Sequence, residues 1–508
     1  MKKVVKKQIL ELLSTLLEAH KELSGYIEEK DLTKANILLS DCQESAIMIG
    51  DIIEQSETGQ ESIIHNLEEY CEKLYWINDS LEKEGQADSK EVKSALDDKI
   101  NTVYRAVKEE IEAVFKVVFF PYKASMWTSL ESIWRAAEAD PECEAKVVVI
   151  PYHNLDSMCK DAEFVYEAPL FPKDVPITHY DQYDITKEQP DITFIHNPYD
   201  NTNNLTRVPE KYYSYHLKPY TDQLVYSPYG MMGYYSPQNG HFMCRTNGVF
   251  FSDKTLVQSE LVKKIYIAHG ASQDKIIALG SPKVDAVVES LKKPVVYPEG
   301  WEEKLSGRKV FLYNTHISYF VRGYQYKQQH PDREDYAIWH HENAFSQLLN
   351  REGCGLIWRP HPLLKPMLKS RRLFDTLEFV ENLEKALEES DNGVLDMRGD
   401  YDTSFRISDA MVSTYSSMIP EYMISGKPIF IYEERFNLEN CHNSPVDYSN
   451  LYYKAEQGEE PKLPAFIQMV LDGEDPSKDK RMADVRKAFS NLDGTIGKNI
   501  YHMLKESN

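Results

Sequence analysis

Apolar residues recur at three- and four-residue spacing through four early stretches: Val4 to Leu23, Ala35 to Ile53, Ile63 to Leu81 and Val92 to Val114. That period puts them on one face of a helix, and the breaks near Asp31, Gly59 and Gly85 predict four helices, in an antiparallel bundle or a pair of long hairpins. At Phe115 the pattern changes. Short apolar runs suited to buried strands follow at Lys116 to Phe120, Lys146 to Pro151, Ile192 to His196, Gln223 to Ser227, Lys254 to Gln258 and Lys275 to Leu279. Helical stretches at Ser125 to Glu138 and Glu260 to His269 alternate with them, which predicts a parallel sheet covered on both faces. Leu291 to Lys309 is rich in Pro, Gly and charge and reads as a linker. A second alternating series then runs from a strand at Val310 to Asn314 through a helix at Asn343 to Asn350 and a strand at Gly355 to Trp358, and closes in helices near residues 461–472 and 480–506.

Composition narrows the function classes. The 508 residues suffice for two or three domains, and 42% hydrophobic content can furnish their cores. A formal net charge of −23 argues against nucleic acid as a partner, because no broad basic surface is left to neutralise a phosphate backbone. The 7 cysteines form no CxxC pair, which fits reduced thiols rather than a disulfide framework or a zinc site. No stretch approaches a membrane span and no signal peptide is evident, so the expected location is cytoplasmic. Lys2, Lys3, Lys6 and Lys7 allow peripheral contact with an anionic membrane face, or are simply a solvated helix end.

Two segments carry candidate chemistry. Phe405 to Tyr432 reads as strand, hydroxyl-rich turn, helix and strand; Ala410 to Thr414 is the strand, and Thr414, Ser416 and Ser417 set hydroxyls at a helix start. Pro420 suits the first turn, Gly426 ends the helix, and Pro428 to Tyr432 is the next strand. Unpaired N–H groups at such a helix start suit an anion, though Ser and Thr also cap helices without one. The other segment is CGLIWRPHPLL, Cys354 to Leu364, where a strand runs into Arg359 and into His361 between two prolines. Those prolines present His361 rigidly at the strand's carboxyl end, where open α/β sheets bind ligands, unless it is simply a surface histidine in a proline-rich loop. Arg359 beside it is suited to a phosphoryl oxygen.

Taken together these motifs resemble the CDP-glycerol glycerophosphotransferase family, the enzymes that polymerise or prime teichoic acid chains. The resemblance spans about residues 115–505 and rests on DITFIHNPYD (Asp191 to Asp200), LGSPKVD (Leu279 to Asp285, including Ser281), the R-x-H-P of Arg359 to Pro362, and Ser408 to Glu421. It implies an α/β fold, a GT-B-like pair of Rossmann-type domains with an N-terminal all-helical extension. The expected division is 1–114 for the extension, 115–295 for an acceptor domain and 296–508 for a CDP-donor domain.

The implied reaction moves glycerol phosphate from CDP-glycerol, or a similar CDP-alcohol, to an acceptor hydroxyl and expels CMP. The acceptor would be a polyol phosphate, a glycan or a lipid-linked chain. By that resemblance His361, Arg359, Ser416 and Ser417 bind the donor diphosphate. This chain lacks the family's W-H-G-T-P-L-K motif, whose histidine is the family's proposed base. His241 in NGHFMCRTNG takes that place by position, with His196 as competitor and a plain loop histidine as the alternative. Asn314 and Thr315, at a strand end, are expected to contact phosphate or acceptor unless they are turn caps, and Glu421 a ribose or glycerol hydroxyl unless it is an ordinary first-turn acid. Mg2+ beside the diphosphate is compatible with this chemistry, although no Asp/Glu/His spacing compels a metal site. Two rival functions stay open: a nucleotide-sugar glycosyltransferase of the same architecture, and a non-catalytic nucleotide-binding relative working through its helical extension.

Overall fold

The computed structural model describes residues 1–56, 60–156, 158–233, 235, 242–414, 416–432, 444–445, 453–455 and 462–507. They fall into two compact units, residues 1–117 with 140–144, and residues 118–139 with 145–507.

The first unit holds the four helices expected from periodicity, Lys3–Glu29, Leu32–Ser56, Glu61–Glu84 and Ser89–Glu110. Their apolar faces meet in a core that includes Ile9, Leu13, Leu39, Ile49, Leu67, Leu96 and Ile100. Asp88 caps the fourth helix, accepting the Lys90 and Glu91 N–H groups at 2.9 and 3.1 Å. That helix ends earlier than its apolar pattern, because Lys6 Nζ takes the carbonyls of Lys108 and Ile111 at 2.8 and 2.6 Å. Among the described residues no helix is long and apolar enough to cross a membrane.

The rest is α/β and is built on two larger sheets. The first has seven strands: Phe115–Phe120, Cys143–Val149, Ile177–His179, Ile192–Ile195, Gln223–Tyr226, Lys254–Leu256 and Ile276–Ile277. Counted along the chain they lie in the order 3-2-1-4-5-6-7. The second has six strands, Lys309–Thr315, Cys354–Pro360, Gly393–Leu395, Ala410–Ser413, Ile429–Tyr432 and Tyr453–Ala455, in the order 3-2-1-4-5-6 with every pair parallel. Both have the doubly wound order of a Rossmann-type sheet, as expected for the paired α/β architecture. A small antiparallel sheet of Tyr152–Leu155, Asp161–Val165 and Thr206–Arg207 stands apart.

Several elements differ from the sequence expectation. The helix expected at Ser125 to Glu138 is a 3-10 segment, Ala124–Ser129, followed by an α-helix, Glu131–Glu138. Ser129 turns its hydroxyl back onto the Met126 carbonyl at 2.7 Å, in competition with a continuous helix. The G-S-P-K-V-D segment opens a helix, Pro282–Lys292, with its proline in the first turn. The stretch read as a linker contains a short helix, Trp301–Leu305. The last helix, Ile496–Glu506, returns to pack against Glu131–Glu138 so closely that a Cβ on Gly497 would lie 2.3 Å from the Ser132 carbonyl carbon. Asp285 caps it, accepting the Ile496 and Gly497 N–H groups at 3.1 and 2.8 Å.

Candidate functional site

A doubly wound sheet opens at its carboxyl edge between its first and fourth strands, where the connections leave in opposite directions. In the second sheet these are Lys309–Thr315 and Ala410–Ser413, with Asn314 level with Ser413. On the other flank Thr315 is level with Pro360. Three segments therefore leave the sheet at one height: His316 after Thr315, His361 after Pro360, and Thr414 after Ser413.

Asn314 holds these segments together. Its Nδ2 donates to the Arg359 carbonyl at 3.0 Å, and its Oδ1 accepts the Ser416 hydroxyl at 2.7 Å. Thr414, fully buried, accepts the His316 N–H on Oγ1 at 3.0 Å. Ser416 Oγ in turn accepts the Met418 N–H at 3.2 Å. The hydroxyl turn is thus fixed to the strand end before its helix begins. That helix, Ile419–Met423, is a single turn that starts beyond both serines, so the helix-dipole argument from sequence carries little weight here. Gly426 does follow it with a φ of +71°, as a helix terminator should.

The two histidines are presented alike. His361 accepts the Leu363 N–H on Nδ1 at 3.1 Å, and His316 accepts the Ser318 N–H on Nδ1 at 3.2 Å with the Ser318 hydroxyl 2.7 Å away. An occupied acceptor at Nδ1 leaves the proton of the neutral ring on Nε2, so each ring offers an N–H donor without being protonated. Burial lowers the pKa of both. For His316 the charge of Arg322, and the repulsion that a second protonated ring at His361 would add, lower it further. An anion placed among these three groups would meet the charge of Arg322 and the two ring N–H donors. Neither His316 nor Arg322 was singled out from sequence, although a histidine directly after Asn314 and Thr315 at a strand end was a usable signal.

Other sequence candidates are placed differently. Arg359 offers no free guanidinium: it is buried and bonded to Asp396 Oδ2 at 2.7 Å, the Asp400 carbonyl at 3.2 Å and the Arg398 carbonyl at 2.8 Å. Burial opposes ionisation of Asp396, but Arg398, Arg359 and Ser404 more than offset it and hold the carboxyl below its ordinary range. Thr315 is turned to the neutral core imidazole of His341, whose Nε2 lies 3.4 Å from its hydroxyl. Glu421 is buried and engaged on both oxygens, with Lys283 Nζ at 2.6 Å from one and the Tyr401 hydroxyl on the other. Ser417 is exposed. Ser281 makes no capping bond at the start of its helix and lines a small cavity in the first α/β half with Met231, Met232, Gln258 and Tyr266.

His196 is no candidate base in this arrangement. It is sealed in the core, accepts the Tyr122 N–H on Nε2 at 3.0 Å and meets Ser129 Oγ through Nδ1 at 3.2 Å. Burial pushes its pKa down to about 3. His241 lies outside the described residues, as does Tyr415. Among the described residues no group of three or more His, Cys, Asp or Glu side chains is placed to hold a metal ion.

The sequence pattern of one family, CDP-glycerol:poly(glycerophosphate) glycerophosphotransferase, matches residues 237–505, more than half of the chain. The chain belongs to that family. This glycerophosphotransferase is accordingly a transferase of the CDP-glycerol class. No curated protein matches it. Solved structures similar to it include the S. aureus MnaA–UDP complex, at 11% identity and a TM-score of 0.48 over 77% of this chain and 96% of that one. A variant of the wall teichoic acid polymerase TagF shares 13% identity over 77% of this chain and 89% of its own, with a TM-score of 0.47. UDP-GlcNAc 2-epimerase from Neisseria meningitidis, bound to UDP-GlcNAc, shares 12% over 77% and 100%, with a TM-score of 0.46. Likeness at this level does not extend to a site or a substrate.

Proposed function

We propose that this glycerophosphotransferase moves glycerol phosphate from CDP-glycerol to the terminal hydroxyl of a polyol phosphate chain, in synthesis of a teichoic acid-type envelope polymer. The observation that carries the assignment of the site is the meeting of His316, His361 and the Asn314-anchored hydroxyl turn at the switch point of the second sheet. The donor diphosphate lies there, with the Nε2–H groups of His316 and His361, the Ser417 hydroxyl and Arg322 around its oxygens. Arg359 is a positioning residue that shapes the loop from Asp396 to Asp400.

The acceptor oxygen attacks the phosphorus that bears glycerol, the new P–O bond forms, and the bond to the bridging oxygen breaks, so that CMP departs. The acceptor proton passes to a base on the first α/β half, for which His241 remains the candidate. Phosphoryl transfer asks mainly for positioning and charge stabilisation, and two imidazole N–H donors contribute to both.

Peripheral membrane contact on the cytoplasmic side belongs to the same reading. It would rest on the basic cluster of Lys2, Lys3, Lys6 and Lys7 at the start of the first helix, in which Lys6 is engaged by helix-end carbonyls, Lys3 lies 3.3 Å from Glu142 and Lys7 3.9 Å from Glu11. Flotation with anionic vesicles tests it, and a protein that stays at the bottom of the gradient removes that part. The reaction is tested by mixing the protein with CDP-glycerol and a glycerol phosphate oligomer and following both products. Release of CMP matched by a lengthened oligomer is expected; release of a nucleoside diphosphate from a nucleotide sugar, with no CMP, would overturn the assignment.

A further inference from the structure

The first sheet repeats the doubly wound order of the second, and its own switch point lies between Phe115–Phe120 and Ile192–Ile195. Lys123 stands there, three residues beyond the first of these strands. Its ammonium lies 4.9 Å from the centre of the Tyr152 ring and 5.5 Å from that of Tyr122, held between two aromatic faces. Glu167 is the neighbouring carboxylate, but its oxygens accept the Tyr152 hydroxyl at 2.6 Å and the Ala124 N–H at 2.8 Å. Among the described residues no carboxylate or other acceptor pairs with Lys123. Burial lowers its pKa, and the charge of Glu167 opposes the shift without cancelling it.

The surroundings are built to hold still. His196 ties down Tyr122 and Ser129 from inside the core. Across the opening, the loop after Ile195 is clamped by Gly248, whose N–H donates to the Pro198 carbonyl at 2.9 Å and where a Cβ would lie 2.9 Å from Pro198 Cα. A half-buried cation whose neighbouring carboxylate is already engaged by other donors, on a rigid loop at the ligand-binding edge of a sheet, calls for an anionic ligand.

We propose that Lys123 is a substrate-phosphate binding residue, donating to a phosphoryl oxygen at the carboxyl edge of the first sheet. The inference rests on the glycerophosphotransferase reading, which supplies two sources of that phosphate: the diphosphate of the donor and the phosphodiester of a glycerol phosphate acceptor. The ammonium, as a point charge, forms charge-assisted hydrogen bonds with either.

The protein is acetylated with limiting N-hydroxysuccinimide acetate, and modification of Lys123 is followed by peptide mass spectrometry. Protein alone is compared with protein holding CDP-glycerol, a glycerol phosphate oligomer or pyrophosphate, with the exposed Lys160 and Lys173 as internal controls. At least one ligand is expected to slow acetylation of Lys123 about fivefold or more while the controls keep their rates. Protection by CDP-glycerol alone assigns the donor, and protection by the oligomer alone assigns the acceptor. Protection by pyrophosphate alone would keep the anion site while the glycerophosphotransferase reading failed. Equal acetylation with all three ligands would overturn the proposal. A second measurement uses Lys123→Met and Lys123→Arg: Met is expected to raise KM for the protecting substrate about tenfold at an unchanged melting temperature, and Arg to restore most of it. Unchanged KM for both substrates in Lys123→Met would also overturn it.

Discussion

Asn314 accepts the hydroxyl of Ser416 at 2.7 Å across 102 residues of chain, and this bond fixes the hydroxyl turn to the end of the neighbouring strand. Both side chains are buried, and the same amide satisfies the Arg359 carbonyl at 3.0 Å. Replacing Asn314 with Ala removes the acceptor of the buried Ser416 hydroxyl proton and the side-chain donor to the Arg359 carbonyl, at a cost of about 1–3 kcal/mol for each group left unsatisfied. Urea denaturation of Asn314→Ala should show a loss in that range, and KM for CDP-glycerol should rise. A variant with unchanged KM would separate this bond from donor binding.

The ion pair between Lys283 and Glu421 joins a helix that follows the first sheet to the helix that follows the hydroxyl turn, and neither side chain exceeds 9% exposure. Removing one partner strands a buried charge, so Lys283→Met should destabilise the protein by about 3–5 kcal/mol. The double variant Lys283→Met with Glu421→Leu should recover much of that loss. Thermal and urea unfolding check it, and a double variant worse than both singles would show that charge pairing is not what holds the two helices together.

Buried histidines set a pH dependence of stability. Burial pushes His196 and His340 down to about 3 and His341 to about 4. In the unfolded chain each binds its proton near the ordinary value of 6.5. Below that pH the unfolded state carries more protons, so stability falls as pH falls, by up to about 1.4 kcal/mol per pH unit for each ring. Asp402, raised to about 6 chiefly by burial and then by Asp400, works the other way for one proton between pH 6 and its unfolded value of 3.8. Three rings outweigh it. Urea midpoints should therefore be lower at pH 5.5 than at pH 7.5, and a higher midpoint at 5.5 would contradict these burials.

Much of the fold was legible because period and length agree with tertiary structure. The strands at Lys309–Thr315 and Cys354–Pro360 are apolar runs bounded by polar residues, and the four early helices repeat every three to four residues. Strands of two or three residues, such as Ile276–Ile277 and Ile177–His179, are too short for their period to fix their ends. The site divides along the same line. The carboxyl-edge position of His361 follows from a strand running into Pro-His-Pro, and the hydroxyl turn from a strand running into Thr-Tyr-Ser-Ser. What a side chain is bonded to was not legible. Arg359 finds Asp396, 37 residues on, and Glu421 finds Lys283, 138 residues back, because the folded sheets set those partners. His316 meets His361 through the register of two strands more than forty residues apart, which no local pattern encodes.

The most direct test of the central claim is the rate of CMP release from CDP-glycerol by His361→Ala and His316→Ala beside the unaltered protein, with melting temperatures as a control for folding. Loss of a donor to developing phosphoryl charge typically slows turnover about 10²- to 10³-fold. A fall of that size in each variant, at an unchanged melting temperature, is the expected result. Undiminished CMP release by both variants would mean that the donor diphosphate does not lie between these two histidines.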